Sequence, residues 1–212
     1  MLGDMSFSSV ERARLVALFH QLGPDAPTLC EGWTTRDLAA HLLVRENQPT
    51  AALGMFIPAL HAHLERAMGK QRQRDYDAIV DDWGAGPGKF SPARLFDSQM
   101  NTAEHFVHLE DVRRANGMES EREFSRAAQD KLYGTLRLFA PRMLAKSTQP
   151  VVLYPTGFPR VVAANHHRVS EHGEAVVRVF GTAPELLLWA YGRIPVHIKV
   201  EGDATAIKIS SL

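Results

Sequence analysis

The chain has 212 residues with 24 basic and 24 acidic side chains, so its formal net charge is zero. Such a length supports one or two domains with a sizeable core, and neither a disulfide nor a metal is needed merely to hold it folded. Balanced charge excludes an electrostatic nucleic-acid binder, and a single cysteine, Cys30, excludes internal disulfides and cysteine-cluster metal sites.

In chain order, Ser8 followed by Glu11 reads as a capping box. Behind it Val10, Leu15, Val16, Leu18, Phe19 and Leu22 form an apolar stripe at helical spacing, ended by Gly23-Pro24. Thr34 followed by Asp37 starts a second helix, in which Leu38, His41, Leu42 and Arg45 recur at steps of three and four. A third apolar segment runs from Ala51 to Met68, broken by Pro58, and Tyr76 to Trp83 predicts a short helix. Gly84 to Gly88 reads as a loop, without the strand and Lys-Ser/Thr ending of a phosphate loop. Ser91-Pro92 marks a fresh helix start. The segment from Asp97 to Ala115 predicts a long helix that stops at Asn116-Gly117, and Glu121 to Leu144 predicts another. Four long helices joined by loops make a bundle.

Composition shifts near Gln149. Val151–Tyr154, Val161–Ala164 and Ala175–Phe180 favour strands, Pro184–Tyr191 a helix, and Val196–Val200 a last strand. The expected class is therefore α+β, with a helical bundle over 1–148 and a small α+β domain over 149–212. The N-terminus lacks the basic start and apolar run of a signal peptide. No stretch reaches 18 uninterrupted apolar residues, so no membrane association is expected. Together with the lone cysteine this predicts a cytoplasmic protein.

The segment Asn101-Thr-Ala-Glu-His-Phe-Val-His-Leu-Glu-Asp-Val-Arg-Arg-Ala115 carries the most chemistry. At about 100° per residue, Glu104 and His108 lie about 40° apart on one helix face, and Asp111 about 20° to the other side of Glu104. A carboxylate and an imidazole one turn apart can reach one ion, and a third ligand must come from another helix. His41, set among Leu38, Ala39, Ala40 and Leu42, is the candidate. Taken singly, Glu104 and His108 read more readily as a solvated pair, and His41 as a hydrogen-bonded core histidine. His105 belongs to another face. Glu110, Asp111, Arg113 and Arg114 read as a charged helix face with ion pairs, although Asp111 also suits a fourth ligand or an acceptor for His108. His61, His63 and the pair His166-His167 read as surface residues, and Cys30 as a buried thiol before a cap.

Two segments together, Leu29-Cys-Glu-Gly-Trp-Thr-Thr-Arg-Asp-Leu-Ala-Ala-His-Leu42 and Asn101 to Arg114, resemble the mycothiol-dependent maleylpyruvate isomerase family, DinB-like metal-binding helical bundles of actinobacteria. The stretch Gly181-Thr-Ala-Pro-Glu-Leu-Leu-Leu-Trp-Ala-Tyr-Gly-Arg193, with Val200-Glu-Gly-Asp203, resembles the small α+β domain that follows the bundle there. The resemblance implies a DinB-like four-helix bundle and a divalent metal, usually zinc, on His41, Glu104 and His108. It also implies mycothiol as a cofactor in an isomerase or S-transferase reaction on a small electrophile. A metal-bound thiolate would be the nucleophile, consistent with only one protein cysteine. Arg45, one turn from His41, and Arg193, at the end of the Gly-Arg motif, are candidates for positioning the substrate or the thiol. The partners expected are thus a small-molecule substrate and a low-molecular-weight thiol. Exposed bundle faces allow a homodimer, although no residue pattern requires one. The alternative is a non-catalytic small-ligand-binding or stress-linked module whose metal is structural or absent. A metal-dependent hydrolase using water alone is a third reading.

Overall fold

A computed structural model describes residues 6–55, 57–87, 98–164, 175–194 and 197–210. The chain divides by its contacts into two compact units, Met1–Glu119 and Ser120–Leu212.

The first unit is helical. α1 (Phe7–Leu22) begins at Ser6, whose side chain accepts from the Ser9 N–H, so the cap sits two residues before the expected Ser8. The helix ends where Gly23 turns to φ 77°, a left-handed conformation that costs glycine little. α2 (Thr35–Asn47) begins with the expected capping box, the Thr34 side chain taking the Asp37 N–H and the Asp37 side chain the Thr34 N–H. The apolar segment that follows is divided into α3 (Pro49–Ala52), two 3-10 turns and α4 (His61–Arg72). Then come α5 (Tyr76–Gly84) and α6 (Ser98–Ala115). The core between them contains Leu15 and Phe19 of α1, Leu38 and Leu42 of α2, Ile79 and Trp83 of α5, and Leu109 and Val112 of α6. Those side chains recur at helical spacing, so burying them sets the rotation of α2 and α6 about their axes.

The second unit has α7 (Arg126–Met143), β1 (Val151–Pro155), β2 (Val161–Ala163), β3 (Val177–Gly181), α8 (Ala183–Ala190) and β4 (Ile198–Glu201). The sheet order is β2-β1-β3-β4, with β1 and β3 parallel and both outer strands antiparallel to their neighbours. Val151, Leu153, Val177 and Val179 are buried in it, as are Leu186, Leu187 and Leu188 of α8. The α+β class is as expected, but the helix expected to complete the bundle packs on α8 and β2 instead. Its stripe of Leu132, Leu136, Phe139, Ala140 and Met143 is buried within this unit. The contact division accordingly falls after Glu119, not near residue 148. An amphipathic stripe demands burial but does not name its partner. The Ser91-Pro92 start and the His166-His167 pair lie outside the described residues.

Candidate metal centre

The capping box fixes where α2 starts, and the burial of Leu38 and Leu42 fixes its rotation; His41 and Arg45 then lie a turn apart on an adjoining face. On α6, burial of Ala103, Phe106 and Val107 leaves Glu104 and His108 a turn apart. The two pairs meet. Glu104 Oε2 lies 3.4 Å from His108 Nε2 and 4.0 Å from His41 Nε2. The ring centroids of His41 and His108 are 5.6 Å apart. One donor atom from each of the three residues fits within 4.8 Å of the others.

Arg45 belongs to the same cluster. Its Nε lies 3.4 Å from Glu104 Oε2, and its Nη1 donates to Asn101 Oδ1 at 3.3 Å. Glu104 Oε2 itself is buried and has no hydrogen-bond partner. Its neighbours are ion-pair partners at 3.4–4.0 Å, farther than the usual hydrogen-bond distance.

The second nitrogen of His108 is well occupied. Its Nδ1–H donates to Asp111 Oδ2 at 3.0 Å, and the Cys30 thiol donates to the same oxygen at 3.3 Å. Asp111 is fully buried. Trp33 lies against His41, with ring centroids 5.0 Å apart.

Electrostatics separates the three residues. Burial holds the His41 imidazole below its ordinary pKa, partly offset by Glu104, and this favours the neutral, lone-pair form. Burial also opposes charge on His108, but Asp111, Cys30 and Glu104 outweigh it and raise its pKa well above the ordinary value. For Glu104, burial pushes the carboxyl up, yet His108, His41 and Arg45 together hold it well below the usual range.

The structure thus brings together His41, Glu104, His108 and Arg45. Arg193 lies in the second unit, after α8, where its Nη1 donates to Tyr191 O at 2.8 Å. His105 occupies another face, as its spacing predicts, bonded to Ser8 O at 2.8 Å and facing Glu46 Oε1 at 3.2 Å. The charged stretch after His108 holds the expected ion pairs, Glu110 with Arg113 at 2.9 Å and with Arg114 at 3.0 Å, but Glu110, Asp111 and Arg114 are buried, and Asp111 accepts from His108. His61 and His63 are exposed, as expected. Spacing could not reveal Cys30, Trp33 or Asn101 as neighbours of the site. Only the nearness of Cys30 and Trp33 to the Thr34 cap hints at it.

Residues 8–89 match the family profile of the mycothiol maleylpyruvate isomerase N-terminal domain. No curated protein sequence matches the chain. Among solved structures, the chain is similar to a crystal structure of the mycothiol-dependent maleylpyruvate isomerase, with a TM-score of 0.59 and 15% identity over 94% of this chain and 91% of that one. A histidine-to-alanine mutant of that enzyme aligns over the same shares with a TM-score of 0.59 and 14% identity. At that identity the likeness speaks for the fold. Family profile and fold point the same way as the two motifs, with residues 8–89 similar to the mycothiol maleylpyruvate isomerase N-terminal domain.

Proposed function

We propose that this chain is a metal- and mycothiol-dependent isomerase or S-transferase acting on a small electrophile, with His41 Nε2, Glu104 Oε2 and His108 Nε2 as the ligands of one divalent ion. The observation that carries the reading is the convergence of two imidazole nitrogens, of His41 and His108, on one sheltered carboxylate oxygen of Glu104. Ligands about 2.0–2.1 Å from a tetrahedral zinc ion lie about 3.3–3.4 Å from one another. The Glu104–His108 separation of 3.4 Å fits that, and the 4.0 Å to His41 needs only a small side-chain adjustment. The donor set of two imidazoles and one carboxylate suits zinc or a similar borderline ion, and three protein ligands leave a position open.

Such an ion, when bound, lowers the pKa of a thiol at the open position and makes it a thiolate at neutral pH. The chain's own residues supply the rest. Asp111 keeps the His108 proton on Nδ1, which leaves Nε2 for the ion. Arg45, 3.4 Å from Glu104 at the same cluster, would offer a cation to an anionic group of the thiol or the electrophile. Cys30 points its thiol at Asp111, so the nucleophilic sulfur comes from the cofactor. Mycothiol is the thiol named by both the family and the solved isomerase. A free low-molecular-weight thiol and a single protein cysteine suit the cytoplasm. No described helix is long and apolar enough to cross a membrane.

The test is elemental analysis of the purified protein beside the His41→Ala/His108→Ala double variant, followed by assay of mycothiol-dependent turnover on small electrophiles, maleylpyruvate among them. About one equivalent of metal in the wild type, lost in the variant, with turnover requiring both metal and thiol, is the expected result. No metal after incubation with zinc refutes the reading, and turnover with metal and water alone refutes the role of the thiol.

A further inference from the structure

We propose that Asp111 is a positioning residue for His108, held in place by the Pro27–Thr34 turn through Cys30; the inference rests on the metal reading above. This turn is tied to α6 at several points. Pro27 bridges Thr34, the Leu29 N–H donates to Asp111 O at 3.2 Å, and Asn116 Nδ2 donates to Pro27 O at 3.0 Å. Inside the turn the Trp33 N–H closes onto Cys30 O at 2.9 Å, and Gly32 at φ 74° supplies the left-handed residue the reversal requires. Cys30 is thereby placed with its Sγ 3.3 Å from Asp111 Oδ2, the oxygen that also accepts from His108 Nδ1 at 3.0 Å.

Asp111 is anchored through its backbone carbonyl and its side chain by adjacent residues of one turn. An imidazole can rotate about its last torsion between two orientations of similar energy. A buried carboxylate oxygen bonded to Nδ1–H selects one of them and directs Nε2 at Glu104. The same turn runs on to Trp33 beside His41 and to the cap of α2 at Thr34. The segment that starts the His41 helix is therefore the segment that steadies His108.

Cys30, His108 and Asp111 could instead be ligands themselves, since their donor atoms also lie within 4.8 Å of one another. The 3.0 Å from His108 Nδ1 to Asp111 Oδ2 is a hydrogen-bond distance, shorter than the spacing of two ligands on one zinc ion, and it favours the positioning role.

The experiment is zinc affinity by competition with a chromophoric chelator, at one neutral pH, with metal-free melting temperature measured for each variant. Wild type binds about one equivalent. Asp111→Ala weakens binding about 10–100-fold and also lowers the metal-free melting temperature, because a buried pair is broken. Asp111→Asn, which keeps an acceptor, falls between, and Cys30→Ser stays near wild type. Wild-type affinity in a folded Asp111→Ala protein overturns the proposal and leaves the metal reading standing. Absence of binding by the wild type removes the metal reading and the proposal with it. Should Asp111→Ala fail to fold, cadmium NMR of wild-type protein with isotope-labelled histidine decides. Coupling from the ion to His108 Nε2 supports the proposal, and coupling to Nδ1 or a thiolate-ligated cadmium shift overturns it.

Discussion

Replacing Glu46 with alanine should destabilise the helical unit severely, and its effect can be worked from the contacts. Glu46 of α2 is 2% exposed and meets Arg12 of α1 twice at 2.8 Å, Nη2 on Oε1 and Nη1 on Oε2. His105 Nε2 of α6 lies 3.2 Å from the same Oε1. One carboxylate therefore joins three helices. Arg12 is only 12% exposed and also lies over the Trp83 ring, 4.8 Å from its centroid, so it cannot simply swing into water when its partner is removed. Breaking one side of a buried ion pair costs about 3–5 kcal/mol. At about 2–4 °C per kcal/mol for a chain of this size, the melting temperature falls by roughly 6–20 °C. The pH dependence has a sign as well. Burial pushes the Glu46 carboxyl up, but His105 and Arg12 overcome it and leave its pKa below the ordinary value. A depressed folded pKa gives stability that is present above about 4.3, the unfolded value, and is lost as pH falls through the folded one. The gap between wild type and Glu46→Gln should then be flat above pH of about 5 and close in acid. Denaturation followed by tryptophan fluorescence in a Trp189→Phe background reads the helical unit through Trp33 and Trp83. A loss under about 1 kcal/mol for Glu46→Ala, or a gap that widens in acid, would refute the reasoning.

Two further predictions concern charge. His20 of α1 bridges Asp77 at 2.9 Å and Asp81 at 3.0 Å on α5, and its pKa is raised chiefly by Asp77, with burial opposing and Asp81 adding to the rise. Its stabilisation should be fully present below about pH 6.5, the unfolded value, and vanish as pH rises through the raised folded value. His20 is 36% exposed, so His20→Ala should cost under about 1 kcal/mol; equal losses in mild acid and in alkali would contradict this. Arg45→Met should tighten metal binding severalfold by removing a cation 3.4 Å from Glu104, and raise the KM for an anionic substrate or thiol. Chelator competition and steady-state kinetics check it, and unchanged values in both would remove Arg45 from the site.

Much of the site was legible because helical periodicity is local. The Thr34–Asp37 cap and the spacing of Leu38, His41, Leu42 and Arg45 give the start and faces of α2, and the step from Glu104 to His108 gives one face of α6. Whatever depends on a partner distant in sequence was not legible. α7 carries an apolar stripe that a bundle or a sheet could equally cover, and it packs on α8 and β2. Ser8 and Glu11 match a capping pattern, yet Ser6 caps the helix and the buried Glu11 pairs with Arg14 at 2.8 Å. The ion pairs of the Glu110–Arg114 stretch were legible from spacing, but the burial of Glu110, Asp111 and Arg114 depends on neighbours distant in sequence. Pairing is what lets them be buried. Cys30 is remote in sequence from the aspartate it meets.

The two polar clusters between α2 and α6 show what sets a binding site apart from a structural knot. Arg45 and Glu46 are neighbours on α2, Glu104 and His105 are neighbours on α6, and the helix turn sends each pair in two directions. On one side Glu46, His105 and Arg12 close at 2.8–3.2 Å, so the charges are paired within the protein. On the other side Glu104 has the same kinds of partner, histidine and arginine, but at 3.4–4.0 Å, and its sheltered Oε2 bonds to none of them. Composition is nearly the same in both clusters; spacing is not. The wider cluster has donor atoms of His41, Glu104 and His108 within 4.8 Å of one another, a separation that an ion between them would suit. The closed cluster lies one residue along both helices and ties α2 and α6 to α1. The Glu46 experiment therefore also bears on function: loosening the closed cluster should let His41 and His108 drift from Glu104, and metal affinity should fall with stability.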